Sequence, residues 1–299
     1  MIRKVIQQGP ATLMVSLPTK WVKKRGIKKG DEVNVEEENK RLVINIQKSD
    51  KFIDRKSIDI SGMYDFIPKL IGCLYKKGYN EVEVHFDNAE ELKSCQNIIR
   101  LLFVGFEIVE QGKSHIIISH LSKENFDDFN RVLKRFLFLL NFIASDFYEA
   151  SKERDYEWLK TNALRDYELD KFADFCRRAI NKDMVNTYNK TAPLYTMIEE
   201  LEKVSDIYRD LCLYNSKNKI VLSKSELAFI KEVNKFVSDF IDFFNNFDIK
   251  KLKDLTESKS NLKKEAQRLK NTDFQILHSL LMIVERVYDI NGPILATNI

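Results

Sequence analysis

The chain has 299 residues, of which 44% are hydrophobic and 31% charged, with only five prolines and nine glycines. Such a composition belongs to a globular, helix-rich protein and excludes fibrous, collagenous and disordered chains. The four cysteines, Cys73, Cys95, Cys176 and Cys212, stand far apart with no C-x-x-C, which excludes a zinc ribbon and a dithiol redox motif and reads as small buried residues in a reducing compartment.

The net charge of +4 is unevenly placed. The first thirty residues hold eight basic residues and no Asp or Glu, so the rest of the chain, +4 less +8, carries −4. A cationic end of that kind points to a phosphate-rich or otherwise acidic partner. The N-terminus has no apolar signal core. The longest apolar run, Phe136 to Ala144, is interrupted by Asn141 and falls short of the ~18 residues of a membrane span. A cytoplasmic protein without membrane insertion is expected.

Residues 1–48 alternate like a small β unit. Ile2 and Val5, then Leu13, Val15 and Leu17, later Val33 and Val35, and finally Leu42, Ile44 and Ile46 are its apolar positions, with Gly9-Pro10 and Asn39-Lys40 punctuating two hairpins. Between them Pro18 opens a short helix over Thr19 to Arg25 that Gly26 ends, and Trp21 reads as core. Below about 40 to 50 residues a segment buries too little apolar surface to stand alone, so dimerisation is expected here. The strings V-S-L-P-x-K-W-V at Val15 to Val22 and G-I-K-K-G-D-E-V at Gly26 to Val33 resemble the swapped-hairpin SpoVT/AbrB family of DNA-binding domains. The resemblance implies a homodimer of interleaved chains that contacts DNA through Arg3, Lys4, Lys20, Lys23, Lys24 and Arg25. Read without the resemblance, the same cluster is also compatible with a solvated, solubilising face.

Lys48 to Lys56 reads as a charged linker. Residues 57–121 then form a mixed α/β segment: a strand at Ile58 to Ile60, a helix from Met63 to Lys77 stopped by Gly78, and a strand over Glu81 to Phe86. A helix from Ala89 to Phe103 stopped by Gly105 follows, with strands near Phe106 to Val109 and Ile116 to Ser119. The segment resembles the α/β insertion of archaeal PhoU-like regulators. No Gly-rich phosphate loop, nucleophile elbow or His-Asp arrangement is present, and His85, His115 and His120 read as scattered residues on strands rather than ligands.

From Ser122 the chain is helical. Helices are predicted near Glu124 to Ser151, Asp155 to Asn181, Ala192 to Tyr214, Ser223 to Asn246, Leu252 to Lys270 and Thr272 to Gly292, with Ser223 and Thr272 as N-caps. The phenylalanines around Phe136 and Phe240 read as bundle core. No E-x-x-H motif supports a ferritin-like di-iron site.

Two acidic pairs, Asp166 with Asp170 and Glu202 with Asp206, repeat at four residues and so stack on one face of their helices, beside the apolar stripe. Like charges a turn apart repel by ~0.2 to 0.5 kcal/mol in an isolated helix, so a cation is expected to compensate them, unless both pairs are solvated faces. Leu201-Glu202-Lys203-Val204-Ser205-Asp206-Ile207 returns 83 residues later as Val284-Glu285-Arg286-Val287-Tyr288-Asp289-Ile290. A period that long fits tandem three-helix bundles, residues 122–215 and 222–299. The repeated heptad and Asp166-Tyr167-Glu168-Leu169-Asp170 resemble the PhoU family of phosphate-signalling regulators over about Leu121 to Ile290. That resemblance implies metal sites at Asp166, Asp170, Glu202 and Asp206 and, less completely, at Glu285 and Asp289, for iron, manganese, magnesium or zinc. The second set faces Glu257-Ser258-Lys259-Ser260-Asn261, where a further acid would be wanted.

Together these readings predict a multidomain, mainly α protein: a swapped-hairpin β unit, a small α/β domain and tandem three-helix bundles. The function expected is a phosphate-responsive transcriptional regulator, with a phosphate transporter subunit or a signalling protein as further partner. The alternative is a PhoU-like metal-binding adaptor that acts on a transporter by protein contact, without DNA. An enzyme is not expected, because no nucleophile or general base is identifiable beside the carboxylates.

Overall fold

At the N-terminus β1 (Val5–Gln7) and β2 (Leu13–Val15) form an antiparallel hairpin in the register Val5↔Val15 and Ile6↔Met14. Gln8 N–H donates to Thr12 C=O (2.8 Å) across the turn, and Gly9 supplies its positive φ of 83°. The computed structural model describes residues 2–38, 41–45, 55–121, 126–182 and 188–299. The turn expected at Asn39-Lys40 and most of the linker expected at Lys48 to Lys56 lie outside them.

Pro18, with φ −64° and ψ 125°, sets up α1 (Thr19–Arg25). Gly26 then ends it in the left-handed region, where its N–H reaches Lys23 C=O and Ile27 N–H reaches Val22 C=O. A second hairpin, β3 (Asn34–Glu38) with β4 (Arg41–Asn45), completes the first of two compact units, Met1–Asp54. Among its described residues none is buried: Val5, Ile6, Leu13, Val15, Val35 and Leu42 are all exposed, and Trp21 is half-buried.

The second unit, Arg55–Ile299, begins with a four-stranded sheet in the order β5-β6-β8-β7. Its strands are β5 (Arg55–Asp59), β6 (Glu81–His85), β7 (Phe106–Gln111) and β8 (His115–His120). β5 runs parallel to β6 through the crossover helix α2 (Ile67–Lys76), and β6 and β7 both pair antiparallel with β8. Alternate residues Val82, Val84, Ile116 and Ile118 are fully buried under α2 and α3 (Ala89–Leu102), while Glu81, Glu83, His85, His115 and Ile117 take the other face. Glu91 is fully buried and accepts from Gly62 N–H (2.7 Å) and Asp87 N–H (2.9 Å), tying together the loops that follow β5 and β6.

The remaining helices are α4 (Phe126–Glu153), α5 (Tyr156–Ala163), α6 (Asp166–Asn181), α7 (Tyr188–Asn218), α8 (Lys224–Asn245), α9 (Lys251–Ala266), α10 (Phe274–Asp289) and α11 (Asn291–Asn298). α4, α5, α6 and α7 pack on one another, as do α8, α9 and α10. α4 lies also against α8, and α7 against α10 and α11, so Phe136, Phe147, Tyr208, Phe236 and Phe240 belong to one continuous core. Ser223 caps α8 in a full capping box with Glu226, whereas Asp273, one residue past the expected Thr272, caps α10.

Two expected helices are interrupted. Asp155 to Asn181 divides at Leu164-Arg165, where Arg165 binds Asp146 (2.5 Å) and Asn162 Oδ1 (3.0 Å), and Thr272 to Gly292 divides at Ile290. The first break carries no proline or glycine and is set by contacts made in the folded chain, whereas the second is followed at once by Gly292-Pro293, whose proline has no N–H to continue the helix. The sheet layer and the helices are locked together by Arg178, which is fully buried. Its guanidinium donates to the carbonyls of Tyr75 and Tyr79 (both 2.9 Å) and lies 5.0 and 5.2 Å from the ring centres of Tyr75 and Phe106.

Candidate functional site

Two sets of charged side chains stand out, one in each unit. In the first, Lys20, Lys23, Lys24 and Arg25 lie along α1 and are exposed, as are Arg3 and Lys4 just before β1. Three of the four helical cations occupy the last turn, where they also meet the negative end of the helix dipole. Short, fixed and presented to solvent, this row can neutralise phosphates without reorganising the backbone.

In the second unit α6 and α7 face each other with the acids expected from the sequence. The break at Leu164-Arg165 makes Asp166 the first residue of α6, where a carboxylate is favoured by the dipole. Asp166, Asp170 and Asp206 each offer a carboxylate oxygen within 4.8 Å of the others. Asp166 is buried, accepts from Ser205 Oγ (2.8 Å) and binds Arg209 (2.5 Å); Arg209 also binds Asp206. Burial, and then the negative charges of Asp166, Glu202, Asp206 and Asp174, push the Asp170 carboxyl up to about 7. Burial likewise raises Asp206, against the opposing pull of Arg209.

Glu202 is turned elsewhere. Its two oxygens are taken by Arg177, which is buried, also bonds Asp174 Oδ1 (2.9 Å) and places Nε 2.6 Å from Glu199 without alignment for a hydrogen bond. Three of the four acids of the first set are therefore brought together and the fourth is held by an arginine two turns along α6. The donor set fits a hard cation through three oxygens, and the guanidinium of Arg209 supplies part of the positive charge the cluster needs.

The second set is arranged differently. Glu285 on α10 is bound by Lys259 (2.7 Å) and Lys263, both on α9, and Lys259 also sits 3.9 Å from the centre of the Tyr288 ring. Asp289 is exposed. Among the described residues no third carboxylate converges on this pair, and the Lys259 ammonium supplies the compensating charge. Arg177, Arg209 and Ser205 are parts of the first site that sequence reasoning missed. Arg209 stands three residues after Asp206 and Arg177 seven after Asp170, spacings that put each on the face of its acid.

Residues 6–52 match the family model described as Antidote-toxin recognition MazE, bacterial antitoxin. The match supports an AbrB/MazE-like N-terminal domain and covers the hairpins and α1. No curated protein and no solved structure matches the chain. Among the described residues no helix is long and apolar enough to cross a membrane.

Proposed function

We propose that the chain is a dimeric transcriptional regulator that holds DNA with its AbrB/MazE-like N-terminal unit and reports phosphate status through its PhoU-like helices. The observation that carries the DNA reading is the exposed basic row of α1, inside the segment matched by the family model, in a unit with no buried residue among those described. A second copy that interleaves its hairpins would cover Val5, Ile6, Leu13 and Val15 and present two basic helices to one duplex.

In this reading Asp166, Asp170 and Asp206 hold a hard divalent or trivalent ion such as iron, manganese or magnesium, with zinc a poorer match to three oxygens. A bound ion supplies positive charge between α6 and α7. With an ion bound, the charge of Arg209 would no longer be needed between Asp166 and Asp206, and Ser205 would hold Asp166 oriented. The repeated heptad of α7 and α10 is the support for the phosphate-signalling reading.

A genome-wide footprint of bound DNA tests the proposal, with phosphate-transport operons as the expected targets. In a binding titration against salt, K23A/K24A/R25A is expected to weaken DNA affinity by tenfold or more and to flatten the salt dependence. If all three contact phosphate, the slope of log K against log salt falls by about 0.9 for each contact removed. DNA affinity that is independent of salt, or unchanged in that variant, overturns it.

One observation favours the second reading, an adaptor that acts by protein contact. Phe138 and Phe142 on α4 are both exposed with ring centres 4.7 Å apart, a surface suited to a transporter subunit or signalling protein. In that case regulation in cells survives K23A/K24A/R25A and is lost with F138A/F142A.

A further inference from the structure

The four-stranded sheet ends in β5 on one side and β7 on the other, and among the described residues no strand pairs with either on its outer side. The two edges are built differently. β7 carries a bulge between Ile108 and Glu110 that takes Val109 out of register, a device that discourages further pairing. β5 is in unbroken register with β6 from Arg55 to Asp59, and its Arg55, Lys56, Ser57 and Asp59 are exposed. We propose that β5 is a second dimer interface, at which it pairs antiparallel with β5 of another copy of this chain about a two-fold axis at Ser57. The pairing rests on the N-terminal dimer proposed above, which brings the two strands together.

The backbone of β5 is set for such a partner. Ile60 N–H donates to His85 C=O (3.0 Å), toward β6. Backbone groups alternate sides along a strand, so Lys56 and Ile58 also address β6, while Arg55, Ser57 and Asp59 direct their N–H and C=O to the open edge. When Ser57 faces Ser57 and Arg55 faces Asp59, every one of these outward groups on both strands finds a partner across the axis.

The side chains choose this register and a second copy of the same strand. Arg55 meets the partner's Asp59 on the sheet face turned away from α2 and α3, and the two-fold axis repeats the pair. Arg55 is 51% exposed and held on that face by Glu81 (3.1 Å) and Glu83 (3.1 Å), with guanidinium donors to spare. On the other face Lys56 lies across from Ile58, whose apolar surface its stem can cover. An axis at Lys56 would set two ammonium groups directly opposite, and an axis at Ile58 would leave Arg55 without Asp59. So short a strand is too small to hold two copies alone. Only residues 46–54 separate β4 from β5, so a dimer closed at the N-terminal unit keeps both strands on one short tether, at an effective concentration on the order of millimolar. The pairing is therefore lost when the N-terminal dimer opens.

The test uses the full chain in a C73S background, which removes the exposed thiol. Facing residues of a hydrogen-bonded antiparallel pair have Cα atoms about 5.5 Å apart, within disulfide range. S57C is compared with K113C, equally exposed in the turn between β7 and β8, whose two copies would stand roughly 30 Å apart across the joined sheets. With diamide as oxidant, S57C/C73S is expected to form a disulfide-linked dimer at least tenfold faster than K113C/C73S. Adding D59K, which opposes Arg55 with a like charge, should slow S57C/C73S at least tenfold. Sedimentation equilibrium on the same reduced samples reports the N-terminal dimer independently. A sedimenting dimer in which S57C links no faster than K113C, or in which D59K changes nothing, overturns the edge pairing and leaves the N-terminal dimer standing. A monomer by sedimentation overturns the N-terminal dimer and the edge pairing with it.

Discussion

Arg178 carries more of the second unit than its single charge implies. Its guanidinium satisfies the carbonyls of Tyr75 and Tyr79 at the end of α2 and fills the space between two rings, all out of reach of water. Arg178→Met keeps most of the volume but takes its donor from the Tyr79 carbonyl and leaves the Tyr75 carbonyl only the Gly78 N–H (2.9 Å), an unpaired acceptor costing roughly 1 to 3 kcal/mol. Urea unfolding is expected to show a loss of about 2 kcal/mol with little change in helix content. Arg178→Lys recovers only part of that, since one ammonium lacks the planar fork that reaches both carbonyls. Asp170 gives a second prediction at this scale. Its carboxyl ionises near about 7 in the folded chain, against the ordinary 3.8 of an unfolded aspartate. Below the lower value both states hold the proton and nothing is lost. Between the two, only the folded chain keeps it, so stability falls as pH rises through that window and stays down above it. With chelator present, the wild type is expected to lose stability relative to Asp170→Asn from about pH 4 to about pH 7, as read by urea midpoints. Equal pH profiles for the two would show that Asp170 ionises normally.

At the scale of elements, the clearest helix start is Ser223, where the side chain accepts from Glu226 N–H (3.2 Å) and Glu226 accepts from Ser223 N–H (2.8 Å). Ser223→Ala is expected to lower stability by about 1 kcal/mol, and Ser223→Asp to retain most of it, in thermal melts. Local signals of this kind were legible: the serine cap, the glycine after α1 and the alternation in β6 and β8 needed no distant partner. The break at Leu164-Arg165 was not, because it depends on Asp146, which is 19 residues away. The same limit governs the site. Glu202 and Glu285 occupy equivalent places in a repeated heptad, yet Arg177 takes one while Lys259 and Lys263 take the other. A heptad records what an element presents, whereas the facing helix decides which charge meets it.

At the scale of the whole molecule the two units differ in what stabilises them. Arg55–Ile299 holds the continuous helical core and the sheet core, so both cores are formed within one chain. Met1–Asp54 has paired strands and a capped helix but no buried residue among those described. Backbone hydrogen bonds contribute little net stability without that burial, and fixing each residue costs about 1 to 2 kcal/mol of entropy. The proposed dimer would supply the missing apolar contacts, and association obeys mass action. Differential scanning calorimetry is therefore expected to resolve two transitions. The one belonging to the N-terminal unit moves to lower temperature on dilution, by the equivalent of about 1.4 kcal/mol per tenfold for a dimer, while the other stays in place. Val5→Asp/Leu13→Asp, which puts charge on the exposed strand face, should abolish the first transition and DNA binding together and leave the second unchanged. If both transitions ignore concentration, the N-terminal unit folds without a partner, and the exposed apolar strands need another explanation.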